Sequence, residues 1–195
     1  SNPAAHIGAA IALFARLAPE VSLQMHVAAI PAIERGLMDG SLHVGIIPAH
    51  RLSQSLIYTD LFTETMLLYC GAQHPLFGAD HSALTWETLR AYQFAGLGYH
   101  SPNMQLSHSA RLPRKATGFD QESIATLILS GRYLGFLPDH YAESFHRQGL
   151  MQAVQPAQFV YPCQFVSVLR KSPQPPRAAQ AFAQCLVQAH GDTLP

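Results

Sequence analysis

The stretch from Pro19 to Ile47, PEVSLQMHVAAIPAIERGLMDGSLHVGII, constrains the fold more than any other part of the chain. Val21, Leu23, Met25 and Val27 alternate with Ser22, Gln24 and His26, the period of two expected of a strand with one buried face. Pro31 presets the first turn of a helix in which Ile30, Ile33 and Leu37 recur at helical spacing while Glu34, Arg35 and Asp39 turn outward. Gly40 closes that helix, and Leu42, Val44 and Ile46 alternate again. Strand, helix and strand within about thirty residues make one right-handed βαβ unit. Sheets built from such units place ligands beyond the carboxyl ends of their strands. Here those ends are residues 27–30 and 47–50.

Three segments carry a family resemblance. The opening combines Pro-Glu-Val, an alternating strand, a helix ending Gly-Leu-Met-Asp-Gly, and Leu-His-Val-Gly-Ile-Ile. The apolar run from Thr65 to Cys70 is followed by Gln73-His74-Pro75-Leu76. Phe119 to Leu150, FDQESIATLILSGRYLGFLPDHYAESFHRQGL, reads as a capped helix, an apolar strand ending Leu-Pro, and a helix closing at Gly-Leu. Together they resemble the effector-binding domain of LysR-type transcriptional regulators. His43 stands where the family's Gly-x-Leu-Asp turn has Asp, and Tyr133 replaces the second glycine of a Gly-x-Gly. The family's strand before the first helix has no counterpart, since only Ser1 to Ala4 precede it. Ser1-Asn2 resembles what protease removal of a tag leaves, so the chain is expected to be a piece of a longer protein.

The resemblance implies an α/β fold with two Rossmann-like subdomains joined by two crossover strands, of the type 2 periplasmic-binding-protein-like kind. Subdomain I is expected over 1–70 plus 166–195 and subdomain II over 71–165. An N-terminal winged helix-turn-helix, absent here, would make the only contact with DNA. The implied partners are a small-molecule effector and a second copy of the chain, as a homodimer or homotetramer. The broad apolar face of a helix over residues 5–18 (Ile7, Ile11, Phe14) reads either as core packing or as a subunit interface; as an interface, the resemblance implies that it would meet Ile124 and Ile128 of the neighbour.

The remaining elements follow from pattern. Thr85 caps a short helix holding Trp86 and Leu89, Phe94 to Leu97 reads as a strand and Asn103 to Leu112 as a helix. Asp120 caps a helix ended by Gly131. Tyr133 to Leu137 is a strand stopped by Pro138, and a helix runs from Asp139 to Arg147. Cys163 to Leu169 gives a returning strand, and Ala178, Phe182, Cys185, Leu186 and Ala189 mark a final amphipathic helix.

Twelve basic residues balance twelve acidic ones, which argues against an electrostatic grip on nucleic acid by this segment. Cys70, Cys163 and Cys185 fit no CxxC spacing and point to a reducing, cytoplasmic setting. No apolar run is long enough for a membrane span. His140 and His146 are six apart and His100 and His108 eight apart, so neither pair stacks on one helix face as metal ligands do. Gly98-Tyr99-His100-Ser101-Pro102 is not a Gly-x-Ser-x-Gly elbow. No metal, no cofactor and no catalytic residue is therefore expected. Buried free thiols are favoured over a Cys70–Cys163 redox switch.

Strand ends and helix N-termini facing an inter-lobe cleft would bind the effector, since unpaired N–H groups there favour anions. The expected contacts in the first lobe are Ala29, Ile30, Pro48 and His50, with Ala28 and Ala49 beside them. In the second they are Tyr99, Ser101, Asn103, Asp120, Gln121 and Phe136, with His100 and Phe119 beside them. The apolar character of residues 28–30 suits a small, partly apolar acid better than a sugar. Two other readings share the scaffold: a periplasmic-type solute receptor, and an enzyme of the prephenate-dehydratase or tetrapyrrole-synthesis kind, which would need a dedicated catalytic Thr, Asp or Cys.

Overall fold

The computed structural model describes residues 2–191. The chain divides into two compact units: the first runs to Thr63 and resumes at Gln164, and the second is Glu64–Cys163. The breaks between these units fall at 63/64 and 163/164, beside the 70/71 and 165/166 that the resemblance implied for the subdomains.

In the first unit, α1 (Pro3–Leu17) starts where the Asn2 side chain accepts the Ala4 N–H, with proline in the first turn, where its missing N–H costs no hydrogen bond. Its apolar stripe packs on α6 (Arg177–Gly191). Ala10 and Phe14 meet Cys185, Leu186 and Ala189, and the Phe14 and Phe182 rings sit edge to face at 5.4 Å. Phe14 is therefore core of this unit and not a subunit contact; it is only 4% exposed, while Ile7 and Ile11 are half-buried. The stripe's breadth reflected a second helix of the same chain, about 170 residues away, and periodicity cannot name that partner.

Helix α2 (Ile30–Asp39) ends at Gly40, whose φ of 82° is the left-handed conformation that glycine adopts without strain. The next strand, β1 (Gly45–Pro48), pairs antiparallel with β7 (Val160–Arg170), Gly45 opposite Val168 and Pro48 opposite Phe165. The strand expected at 21–27 does not form. Residues 21–28 are exposed throughout, Val27 to 86%. Alternation describes which way side chains would point, but a strand also needs a ladder partner for its N–H and C=O groups, and no described strand pairs with this segment.

The chain enters the second unit along β2 (Leu56–Gly71). There β2 pairs antiparallel with β5 (Gly135–Pro138) and with β6 (Met151–Ala153). Its alternate residues serve two cores. Leu68 and Cys70 pack with Leu89, Phe94, Phe136 and Phe159; Tyr69 packs with Ile124, Ile128, Leu137 and Met151. This is the doubly covered strand that the continuous apolar run implied. Strand β3 (Phe94–Leu97) runs parallel to β4 (Arg114–Gly118) across helix α3 (Pro102–Ser109). On its other side, Ala95 N donates to Leu134 O at 2.8 Å. Helices α4 (Gln121–Leu129) and α5 (Asp139–Arg147) complete the unit. Over the whole sheet the strand order is β1-β7-β2-β5, with β6 also on β2.

The expected contact through Ile124 and Ile128 is corrected too. They are 3% and 0% exposed, because α4 turns that face onto its own unit's core.

His74, the histidine of the His-Pro-Leu turn, is 5% exposed; its Nδ1 accepts the Leu76 N–H at 3.1 Å and its ring packs near Tyr92. Burial lowers its pKa from the ordinary 6.5. The unfolded chain then binds the proton more readily, so this neutral ring contributes stability that is complete above about pH 6.5 and is lost as pH falls through the lowered value. His74→Asn, which keeps an acceptor, is expected to flatten the acid-side fall in melting temperature below about pH 6.5. An unchanged slope would assign the acid sensitivity to other groups.

Candidate functional site

The two units present separate groups of candidate residues. In the first, Ala29 is the N-cap of α2 and forms no side-chain cap bond, Ile30 is buried, and Pro48 closes β1. The His50 side chain is only 1% exposed. Its Nδ1 lies 3.2 Å from the Pro48 carbonyl and its Nε2 3.3 Å from Glu34 Oε1, so the ring ties α2 to the end of β1. An open hollow of about 630 Å³ beside α2 is lined by Glu34, Arg35, Arg51 and neighbours, and by none of the four residues above.

In the second unit polar side chains gather at the start of α3. Ser101, 1% exposed, accepts the Met104 N–H on its Oγ and so caps the helix. Asn103, in the first turn, accepts the Leu97 N–H on Oδ1 at 3.1 Å, fixing the helix start against the end of β3. Its amide also hydrogen-bonds the Tyr161 hydroxyl. Burial raises that hydroxyl's pKa far above the ordinary tyrosine value, and the Asn103 bond opposes the rise. The half-buried Tyr99 hydroxyl is likewise pushed up by burial, with Asp120 and Cys163 adding to it.

Asp120 caps α4. Ser123 donates to Asp120 Oδ1 from its N–H and from its hydroxyl, both at 2.7 Å, and the two bonds hold the carboxyl below the usual range. Gln121 is half-buried at the first position of α4, and Phe119 is exposed. Phe136 lies in the core at 4% exposure, its ring edge-on to Tyr161 at 5.2 Å. It can shape the surroundings of that hydroxyl but presents little surface of its own.

Three residues outside the expected set are tied to this group by their interactions: Tyr161, described above, Glu64 and His140. Glu64 is 7% exposed, and its Oε1 accepts from His140 Nε2 at 2.8 Å. Burial holds the Glu64 carboxyl above its ordinary range; His140 pulls it back by hydrogen bond and charge, and Asp139 adds to the rise. Glu64 in turn helps raise the pKa of Cys163 and of Tyr161. A signal was there to read: Glu64 is in phase with Met66, Leu68 and Cys70, which places a carboxylate on the buried side of β2.

The cysteines are all free and buried. Burial pushes Cys70 to about 11 and Cys163 to about 12, so both stay protonated near neutrality and lack the thiolate that redox exchange requires. Among the described residues no group of three or more His, Cys, Asp or Glu side chains is placed to hold a metal ion, and no helix is long and apolar enough to cross a membrane.

Residues 3–191 match the sequence family described as LysR substrate binding domain. The chain is 29% identical over 168 residues to the HTH-type transcriptional activator BauR of Pseudomonas aeruginosa, covering 86% of this chain and 55% of that protein. It thus spans about half the length of that relative. Among solved structures, the effector binding domain of QuiR in complex with shikimate superposes with a TM-score of 0.79 at 11% identity, over 97% of this chain and 92% of that one. Full-length OxyR C199D from Pseudomonas aeruginosa superposes with a TM-score of 0.69 at 21% identity, over 92% of this chain and 63% of that one. Those structural likenesses establish the fold, and the family match covers nearly every residue described. The chain belongs to the LysR substrate-binding domain family of transcriptional regulators.

Proposed function

We propose that this domain senses a small, acidic, partly apolar metabolite and passes its presence to DNA-binding heads carried elsewhere in the whole protein. Binding favours one of two domain conformations, alters the geometry of a dimer or tetramer, and so changes how the heads meet DNA. The observation that supports this reading is the pair Ser101 and Asn103 at the N-terminus of α3, with the Tyr161 hydroxyl bonded to Asn103 and Tyr99 two residues before the cap. Helix N-terminal N–H groups favour an anion, and the surrounding rings suit an apolar body. A binding role fits better than catalysis, because the thiols are held protonated and Asp120 is spent on capping α4.

Thermal-shift measurements on the 195-residue chain against metabolite acids test it, since a ligand of the native state raises the melting temperature by mass action. At least one small acid is expected to do so. Tyr99→Phe and Ser101→Ala should each weaken its affinity by roughly tenfold, the loss of one hydrogen bond to a charged group. Ser101→Ala also forfeits a helix cap worth about 1 kcal/mol, so the quantity to compare is the ligand-induced rise, not the ligand-free melting point. An undiminished rise in both variants removes these side chains from the site. No response to any acid would count against a metabolite sensor.

A further inference from the structure

We propose that Glu64 is an effector-binding residue and that the effector carries an amine beside its carboxylate, which makes it an amino acid or a close relative. The proposal rests on the sensor role above and names its ligand class.

A carboxylate on the inward phase of β2 is an expensive choice at a position where its neighbours in register, Met66 and Leu68, are apolar. Its two oxygens are treated differently. Oε1 is clamped by His140 at 2.8 Å, which fixes the plane of the group, while Oε2 is buried and has no hydrogen-bond partner among the described residues. Buried polar atoms in native proteins are nearly always satisfied, so an orphan oxygen on an immobilised carboxylate marks a place for a missing donor. The charged groups that act on Glu64 are His140, already engaged through Nε2, and Asp139, which adds negative charge. A cationic donor is what this environment lacks.

The neighbouring residues say what else that donor is attached to. The Tyr161 hydroxyl feels the charges of Cys163 and Glu64 and is hydrogen-bonded by Asn103. Asn103 lies in the first turn of α3, the end that Ser101 caps and that favours an anion. One tyrosine is thus bonded to the first turn of a helix whose start favours an anion and lies within electrostatic reach of the unsatisfied carboxylate. A small molecule with one negative and one positive group matches both, and a simple carboxylic acid matches only the first. Sites built to bond a particular group reject analogues lacking it, because their own buried partner is then left unpaired.

The test compares alanine, serine, aspartate, glutamate and phenylalanine with the amine-free acids propionate, lactate, succinate, glutarate and 3-phenylpropionate, by thermal shift and calorimetry on the whole chain. At least one amino acid is expected to bind roughly 10- to 100-fold more tightly than its amine-free counterpart, the range for a charge-assisted hydrogen bond. Glu64→Gln should erase that preference while leaving the ligand-free protein folded with an equal or higher melting temperature, since it relieves a buried charge. Glu64→Met, similar in volume and without donors, should give the same loss and guards against an amide that bonds the amine. Equal binding of both ligand sets, or an amino-acid preference that survives both substitutions, overturns the Glu64 proposal and leaves the sensor role standing. Silence from both sets overturns the two together.

Discussion

Replacing Phe159 by alanine is expected to cost the second unit about 3–5 kcal/mol, seen in urea denaturation as a lower midpoint with a similar slope. Phe159 is fully buried with Leu68, Leu89 and Phe136, and Trp86 meets its ring edge-on at 4.9 Å. Its carbonyl also accepts the Leu68 N–H at 3.2 Å, so the ring sits where the backbone is tied to β2 and cannot easily sink to refill the void. Domains of this kind hold about 5–15 kcal/mol in all, so one ring decides a large part of the total. A loss below about 1 kcal/mol would mean that the neighbours collapse into the space, contrary to the packing described.

Gly131→Ala is expected to be nearly as damaging, at about 2–5 kcal/mol, by a different route. Gly131 has φ of 70°, where a side chain costs about 1–2 kcal/mol by itself. A Cβ there would also stand 2.6 Å from Gln73 Cβ and 3.0 Å from the Gln73 carbonyl carbon, and backbone cannot step aside as a flexible side chain would. Gly149 is the matched control. Its φ is 69°, but a Cβ meets nothing within 4 Å, so Gly149→Ala should show the dihedral cost alone. Equal losses in the two variants would rule out crowding against Gln73.

These residues also show how far pattern alone reaches. Gly40, Gly131, Ser101 and Asp120 were readable as helix boundaries because caps and left-handed turns are local, set by the residue itself and its next few neighbours. Strand β4 was missed because Arg114-Lys115-Ala116-Thr117 has no apolar alternation; its place comes from β3 alongside. The strand expected at 21–27 failed for the converse reason, with the alternation present and the partner not. Phe14, Ile124 and Ile128 were expected to meet a neighbouring copy because pattern marks a face as apolar without naming its cover; that cover is other elements of the same chain. Within the candidate site, Ser101 and Asn103 followed from the helix start. Glu64 required noticing that one charged residue shares the phase of an apolar run.

The first unit is assembled from both ends of the chain, with the second inserted between them. On the ribosome the middle segment is complete in one continuous stretch and can close its own core early, whereas α1 is made before that segment and α6 after it, so the Phe14 face waits for α6 to be covered. Throughout that delay an apolar helix stands bare to the cell. Chaperone dependence and losses during expression should therefore follow the arrival of residues 177–191 rather than the intrinsic stability of either unit.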